Sequence, residues 1–359
     1  MSSPTNRSLD DVALFRALPQ VGRQLPWVRL GDWPTPVERL AVGDEVWIKR
    51  EDLTAATYGG NKVRTLEAMF GRARAAGATR MWATGAYGSN HVVASVLHAR
   101  TAGLDAGAIL FPQPASETAL ANASALLAAR PEVIAIGSVI ELPLAMAIVR
   151  RRRGAYVMPP GGATPAGALG AMSAAFELAT QAAAGELPWP RRVVVAVGSG
   201  CTTAGLLAGF HLAHELGLAP SPPRVCAVRV TPWPVTSRLR LARLAHVTLA
   251  LVDGLRGATS ATGLGTLYAG LEVDGRWLGS GYGRATTPGA RAAERMRRAG
   301  APPIDAVYTA KSSAALLEHA EREPGPSLFW HTKSSAPLAG ALDDALAVAP
   351  AAMRRWMGR

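Results

Sequence analysis

Short apolar runs alternate along this chain with longer stretches of helical spacing, and each handover is marked by glycine, proline or clustered polar residues. Residues 45–50 read as a strand entering a loop at 54–60, and a helical pattern follows over 62–76. A short apolar run at 80–84 ends in Gly85-Ala-Tyr-Gly-Ser-Asn, after which 91–102 has helical length and composition. The alternation continues with strands expected at 106–111 and 133–136 and helices at 117–129 and 142–152. The turn segment Pro159-Pro-Gly-Gly-Ala-Thr-Pro opens a long helix over 166–184, and a domain crossing is expected there. Residues 192–197 have the unbroken apolar character of a strand buried on both faces, and they run into a glycine loop before a helix predicted over 206–216. A strand at 225–230, a basic helical region at 237–245 and a glycine-rich stretch at 278–283 follow, with Val307, Tyr308 and 328–331 expected near strand ends. Repeated strand and helix units predict an α/β fold with mostly parallel sheets.

With 359 residues, 49% of them hydrophobic and 18% charged, the chain is long enough for two packed domains and too apolar for disorder. The opening Met1-Ser-Ser-Pro-Thr-Asn-Arg lacks the order of a signal peptide, and no stretch approaches about 18 uninterrupted apolar residues, so a cytoplasmic protein without membrane contact is expected. Cys201 and Cys226 are the only cysteines, which suggests neither a disulfide framework nor a thiolate metal site. His211 and His214 read as one helix face rather than a metal pair, and Arg150 to Arg153 as a solvated helix end. A net charge of +12 raises nucleic acid as a partner, but no zinc-finger spacing, RNP-like aromatic motif or basic repeat accompanies it.

The basic residues are nearly all arginine, and lysine occurs only at Lys49, Lys62, Lys311 and Lys333. Chemistry that needs a nucleophilic amine therefore has few candidates. Lys62 follows Gly59-Gly60-Asn61 at a predicted helix start, where the positive helix end disfavours its ammonium and favours imine formation. The loop Gly198-Ser199-Gly200-Cys201-Thr202-Thr203, set between strand and helix, aims backbone N–H groups at one spot and suits a phosphate. It has neither the lysine of an ATPase P-loop nor the spacing of a dinucleotide fingerprint.

Lys49-Arg-Glu-Asp-Leu, Gly59-Gly-Asn-Lys-Val-Arg, Gly88-Ser-Asn-His and Gly198-Ser-Gly-Cys-Thr-Thr-Ala-Gly together resemble fold type II pyridoxal 5'-phosphate (PLP) enzymes, in the same order from about Leu30 to Ala341. The similarity is to the D-cysteine desulfhydrase and 1-aminocyclopropane-1-carboxylate (ACC) deaminase family. That resemblance implies a tryptophan synthase beta-like fold of two open, mostly parallel sheets flanked by helices. Residues 1–65 plus 169–359 would form the large PLP-binding domain, 66–168 a small domain inserted in it, and the molecule a homodimer. Lys62 would carry the cofactor as a Schiff base beside Asn61, and Asn90 would bond its phenolic oxygen. Gly198 to Thr203 would hold the phosphate, with Thr309 and Thr332 completing the cofactor site. Ser89, Asn90, His91, Gly161, Tyr282 and Tyr308 would face a small amino-acid substrate, with Ser89 and the two tyrosines able to move protons beside Lys62.

ACC deaminases are expected to place glutamate after the second tyrosine and to read His-Leu-Gly-Gly near the C-terminus, where this chain has Thr309 and His331-Thr332. A hydroxyl at Thr309 is expected to leave the pyridine ring largely neutral, which suits β-elimination better than ring opening. The implied activity is that of a lyase or deaminase releasing a 2-oxo acid, ammonia and the β-group. ACC-type ring opening, dehydration, β-replacement and PLP binding without turnover stand as alternatives. Three departures lie close to the expected site: Thr65 in place of a second lysine, Gly88 in place of glutamine, and Lys333-Ser334 in place of Gly-Gly. Loss of the glutamine is expected to open space, and Lys333 either meets an acidic substrate or the phosphate, or points to solvent. A larger or acidic amino acid is the expected substrate variation.

Overall fold

The computed structural model describes residues 8–43, 45–338 and 342–358. The opening residues 1–7, read above for a targeting signal, and Ala341, where the resemblance ends, lie outside the described residues.

Among the described residues ten strands form two sheets: β1 (Val37–Arg39), β2 (Val46–Lys49), β3 (Arg80–Ala86), β4 (Asp105–Phe111), β5 (Glu132–Ala135), β6 (Ala155–Val157), β7 (Arg192–Val197), β8 (Arg224–Arg229), β9 (Leu271–Asp274) and β10 (Ser327–Trp330). The larger sheet has the order β1-β2-β10-β7-β8-β9, and β1 is its one antiparallel member. The smaller, β5-β4-β3-β6, is parallel throughout. β7 is buried along its whole length, with Val193 opposite Leu328 of β10 and Val225 of β8, as its apolar run requires of a central parallel strand. The apolar helices Pro165–Ala183 and Cys201–Glu215 share one core with it through Met172, Phe176, Leu207 and Phe210. No helix among the described residues is long and apolar enough to cross a membrane.

Two differences from the sequence reading bear on the site. The helix after the glycine loop starts at Cys201, not near 206, because Gly200, at φ +91°, turns the chain and leaves Cys201 to Thr203 as the first helical turn. Val307 and Tyr308 precede the helix Thr309–Arg322 instead of ending a strand. There the Asp305 carboxylate accepts the N–H groups of Val307, Tyr308 and Thr309, which starts a helix rather than a sheet ladder.

A buried ion network joins the elements under the site. Lys49 of β2 lies 2.6 Å from Glu177, and Arg64 bridges Glu177 and Glu51 at 3.0 and 2.7 Å. Burial pushes Glu177 up, but Arg64 and Lys49 outweigh it and hold its carboxyl at about 2. The chain end packs with the smaller sheet: Ala345, Met353 and Met357 share a core with Leu126 and Val93, and Trp356 Nε1 donates to the Gln113 carbonyl. The sequence division, which assigns 169–359 to one unit, does not anticipate that crossing.

Candidate active site

Two of the four lysines are bound into the scaffold. Lys49 belongs to the ion network, and Lys311 Nζ donates to the carbonyl of Leu278 at 2.9 Å, pinning the glycine-rich segment. Lys62 opens the helix Lys62–Ala75, and its Nζ makes no hydrogen bond among the described residues. Burial lowers its pKa from the ordinary lysine value, against a smaller opposing effect of Cys201.

Opposite it, the helix Cys201–Glu215 presents first-turn N–H groups that have no carbonyl partner by helix geometry. Gly200 sits at φ +91°, a conformation that L side chains rarely adopt, and a Cβ there would also press on Leu241 Cδ2 at 2.2 Å, so glycine suits this turn. Thr203 Oγ1 is buried with no hydrogen-bond partner, directed by the same first turn. A buried orphan hydroxyl at the positive end of a helix fits an anion such as a phosphate. Asn61 Nδ2 donates to Thr202 Oγ1 at 2.7 Å and Asn61 N to the Thr332 carbonyl at 3.2 Å, tying the lysine loop to both neighbouring segments. Ser199 Oγ donates to the carbonyl of Gly161 at 3.4 Å, and Cys201 Sγ to that of Gly162 at 3.4 Å. Both cysteines are free and buried.

His91 and His331 are buried with both ring nitrogens unpartnered. Burial first, and then the Lys62 charge, lowers the His91 pKa to about 3, so the ring is neutral at physiological pH. Ser89 is the N-cap of the helix Asn90–Ala99, yet its side chain makes no capping bond, whereas Ser116, Thr164 and Ser237 all cap their helices. Tyr282 and Tyr308 meet hydroxyl to hydroxyl at 2.8 Å. Burial raises both phenols, Tyr308 well above its usual range, so the pair keeps its protons at neutral pH.

The departures noted in the sequence come together. A Cβ on Gly88 would lie 2.2 Å from the Ala119 carbonyl, so the helix Glu117–Ala128 fills the space that loss of a glutamine was expected to open. Lys333 points neither to solvent nor to the phosphate cup. Its Nζ donates to Tyr58 Oη at 3.0 Å, Asn90 Oδ1 at 3.1 Å and Asn122 Oδ1 at 3.3 Å. Burial lowers its pKa. Asn90 Oδ1 also accepts from Tyr58 Oη and Asn122 Nδ2, at 2.9 and 2.7 Å, which leaves the Asn90 amide N–H groups facing the cleft. Thr65 Oγ1 sits 3.7 Å from Cys201 Sγ. Tyr58, Asn122 and Asp305 were missed in the sequence. Tyr58 stands directly before Gly59-Gly-Asn-Lys, and Asp305 has the spacing of a helix cap, but nothing marks Asn122 within its alanine-rich helix.

Two helix-flanked sheets of mainly parallel strands, a half-buried lysine without a hydrogen bond at one helix start and unpartnered N–H groups at another fit a phosphate-bearing cofactor that reacts through a carbonyl. The chain belongs to the pyridoxal-phosphate-dependent enzymes, whose family model matches residues 28–332. It is 35% identical over 322 residues to a nocardicin C-9' epimerase of Nocardia uniformis, covering 87% of this chain and 93% of the relative. It is 30% identical over 334 residues to a D-cysteine desulfhydrase of Salmonella paratyphi B, covering 86% and 94% respectively. A crystal structure of an ACC deaminase homologue superposes with a TM-score of 0.72 at 28% identity, covering 94% of this chain and 99% of that one. The cofactor is therefore PLP.

Proposed function

We propose that this enzyme acts on an amino acid by removing its α-proton and expelling a β-substituent, giving a 2-oxo acid, ammonia and the released group. Lys62 is the attachment point for the cofactor. Asn90 donates from its amide nitrogen to the phenolic oxygen, the segment Gly198 to Thr203 holds the phosphate, and Thr309 faces the ring nitrogen, with Asn61 and Thr332 closing the edge. When bound, the cofactor supplies an electron sink that acidifies the α-hydrogen of the amino acid joined to it.

The remaining steps fall to this chain's own groups. Lys62, of lowered pKa, accepts the α-proton at Nζ. Ser89, with an uncommitted hydroxyl, binds the substrate carboxylate or carries a proton on the other side. The protonated Tyr282–Tyr308 pair gives a proton to the departing group. His91, neutral, and Gly161, with no side chain, flank the substrate. The observation that carries the reading is Lys62 itself, the amine left without a hydrogen bond when Lys49, Lys311 and Lys333 all have theirs. The similarity to a D-cysteine desulfhydrase supports elimination.

A second reading has support of its own. The relative named an epimerase is 35% identical over 87% of the chain, and epimerisation needs the same proton removal, followed by return of a proton from the opposite side. Absorbance spectra of wild type and Lys62→Ala, with D-cysteine, L-cysteine, D-serine and ACC added in turn, test the assignment. Release of a 2-oxo acid supports elimination. Exchange of the α-hydrogen for solvent deuterium with no 2-oxo acid supports epimerisation, and a cofactor band that persists unchanged in Lys62→Ala sinks both. The same reading carries a cleft between residues 66–168 and the rest of the chain, a homodimer and a cytoplasmic location, the dimer being checked by light scattering.

A further inference from the structure

Thr309 opens the helix Thr309–Arg322 and is fully buried. Its Oγ1 lies 2.5 Å from Asp305 Oδ2 and accepts the Asp305 N–H at 2.8 Å. The same carboxylate accepts from the backbone N–H groups of Val307, Tyr308 and Thr309 at 3.0, 2.7 and 3.0 Å. A carboxylate has no hydrogen to give, so the hydroxyl hydrogen of Thr309 is committed to Asp305. With one lone pair used by the Asp305 N–H, the Thr309 oxygen keeps a single lone pair for whatever lies on its other side. A partner that needs a donor is left unsatisfied there, while a partner that brings its own N–H is matched.

We propose that Asp305 is a positioning residue that turns the Thr309 hydroxyl into an acceptor, so that the cofactor's ring nitrogen carries a proton. This rests on the reading above that Thr309 faces that nitrogen. It reverses the expectation, drawn from the hydroxyl alone, of a neutral ring. Asp305 then serves as a carboxylate acting through one intervening hydroxyl, and its negative charge further favours the protonated ring. The chain thereby obtains a strong electron sink without a carboxylate in contact with the cofactor, which serves proton removal in either elimination or epimerisation.

Solid-state 15N NMR of the holoenzyme, reconstituted with PLP labelled at the ring nitrogen, reads the proton directly and needs no turnover. Wild type is expected at the pyridinium position. Asp305→Asn sets an amide N–H against Thr309 Oγ1, frees the hydroxyl hydrogen for the ring, and is expected to move the signal toward neutral pyridine. Thr309→Val is expected to move it too, and Thr309→Ser, which keeps the hydroxyl, to hold it. A neutral-pyridine signal in wild type overturns the inference whether or not Asp305→Asn folds. A pyridinium signal unmoved in Asp305→Asn but shifted in Thr309→Val removes Asp305 from the account. A signal unmoved in Thr309→Val overturns the placement of Thr309, and with it the reading on which the inference depends.

Discussion

Lys333 Nζ lies 3.1 Å from Asn90 Oδ1, joining residues 243 positions apart in the chain at the point where Asn90 turns its amide toward the cleft. With Tyr58 and Asn122, the cation fixes which end of that amide faces the cleft, a choice a lone asparagine does not make for itself. Lys333→Met removes one of three donors to Asn90 Oδ1 and leaves Tyr58 and Asn122 in place. The expected loss is about 1 kcal/mol, or roughly fivefold in cofactor affinity. Titration of apoenzyme with PLP measures it, and an unchanged affinity would reduce Lys333 to packing.

Ser89 separates capping from chemistry. Since its hydroxyl makes no capping bond, Ser89→Ala is expected to change stability by less than about 0.5 kcal/mol while lowering turnover at least about tenfold. Thr164→Ala, at a position where the hydroxyl does cap by accepting from Gly167 N at 3.0 Å, is expected to cost about 1 kcal/mol. Urea unfolding of both variants provides the comparison.

Gly88 sits at φ +73° against the Ala119 carbonyl. Gly88→Ala is therefore expected to cost about 2 kcal/mol or more, and Gly88→Gln, which installs the residue usual in the family, to cost at least as much. Denaturation midpoints test this, and a stable Gly88→Gln with an enlarged substrate range would show that the helix Glu117–Ala128 yields.

Glu177 neutralises Lys49 and Arg64, all three being buried. Glu177→Gln leaves two buried cations sharing Glu51 and is expected to destabilise by about 3–5 kcal/mol. A variant that unfolds at the wild-type urea concentration would contradict that.

His91 takes up a proton near about 6.5 in an unfolded chain but only at about 3 in the folded one. Between those values the unfolded chain binds more protons, so the stability held above about pH 6.5 is lost as pH falls toward about 3. His211, His319 and His331 are shifted in the same direction and add to the slope. His91→Gln is expected to remove about one proton, near 1.4 kcal/mol per pH unit, from the dependence measured in urea between about pH 4 and pH 7. An unaltered slope would mean that His91 protonates in the folded enzyme.

Much of this molecule was legible in its sequence because the signals were local. The apolar run at 192–197, the glycine turn after it and the scarcity of lysine are properties of adjacent residues or of composition, and from them the parallel sheet, the turn into the next helix and Lys62 as a candidate amine could be read. The helix start at Cys201 was misjudged by several residues because a glycine loop and the first turn of a helix differ in one dihedral angle, that of Gly200, and not in composition. Contacts between distant segments were decided only by the tertiary structure. Gly88 looked like added space until the backbone of Ala119 was brought against it, and Lys333 looked like a free cation until Tyr58, Asn90 and Asn122 converged on it. Thr309 is the clearest case. Its residue type says only that a hydroxyl stands at that place, and the direction of its hydrogen is set by Asp305, because a hydroxyl has no preferred polarity until a neighbour fixes its proton.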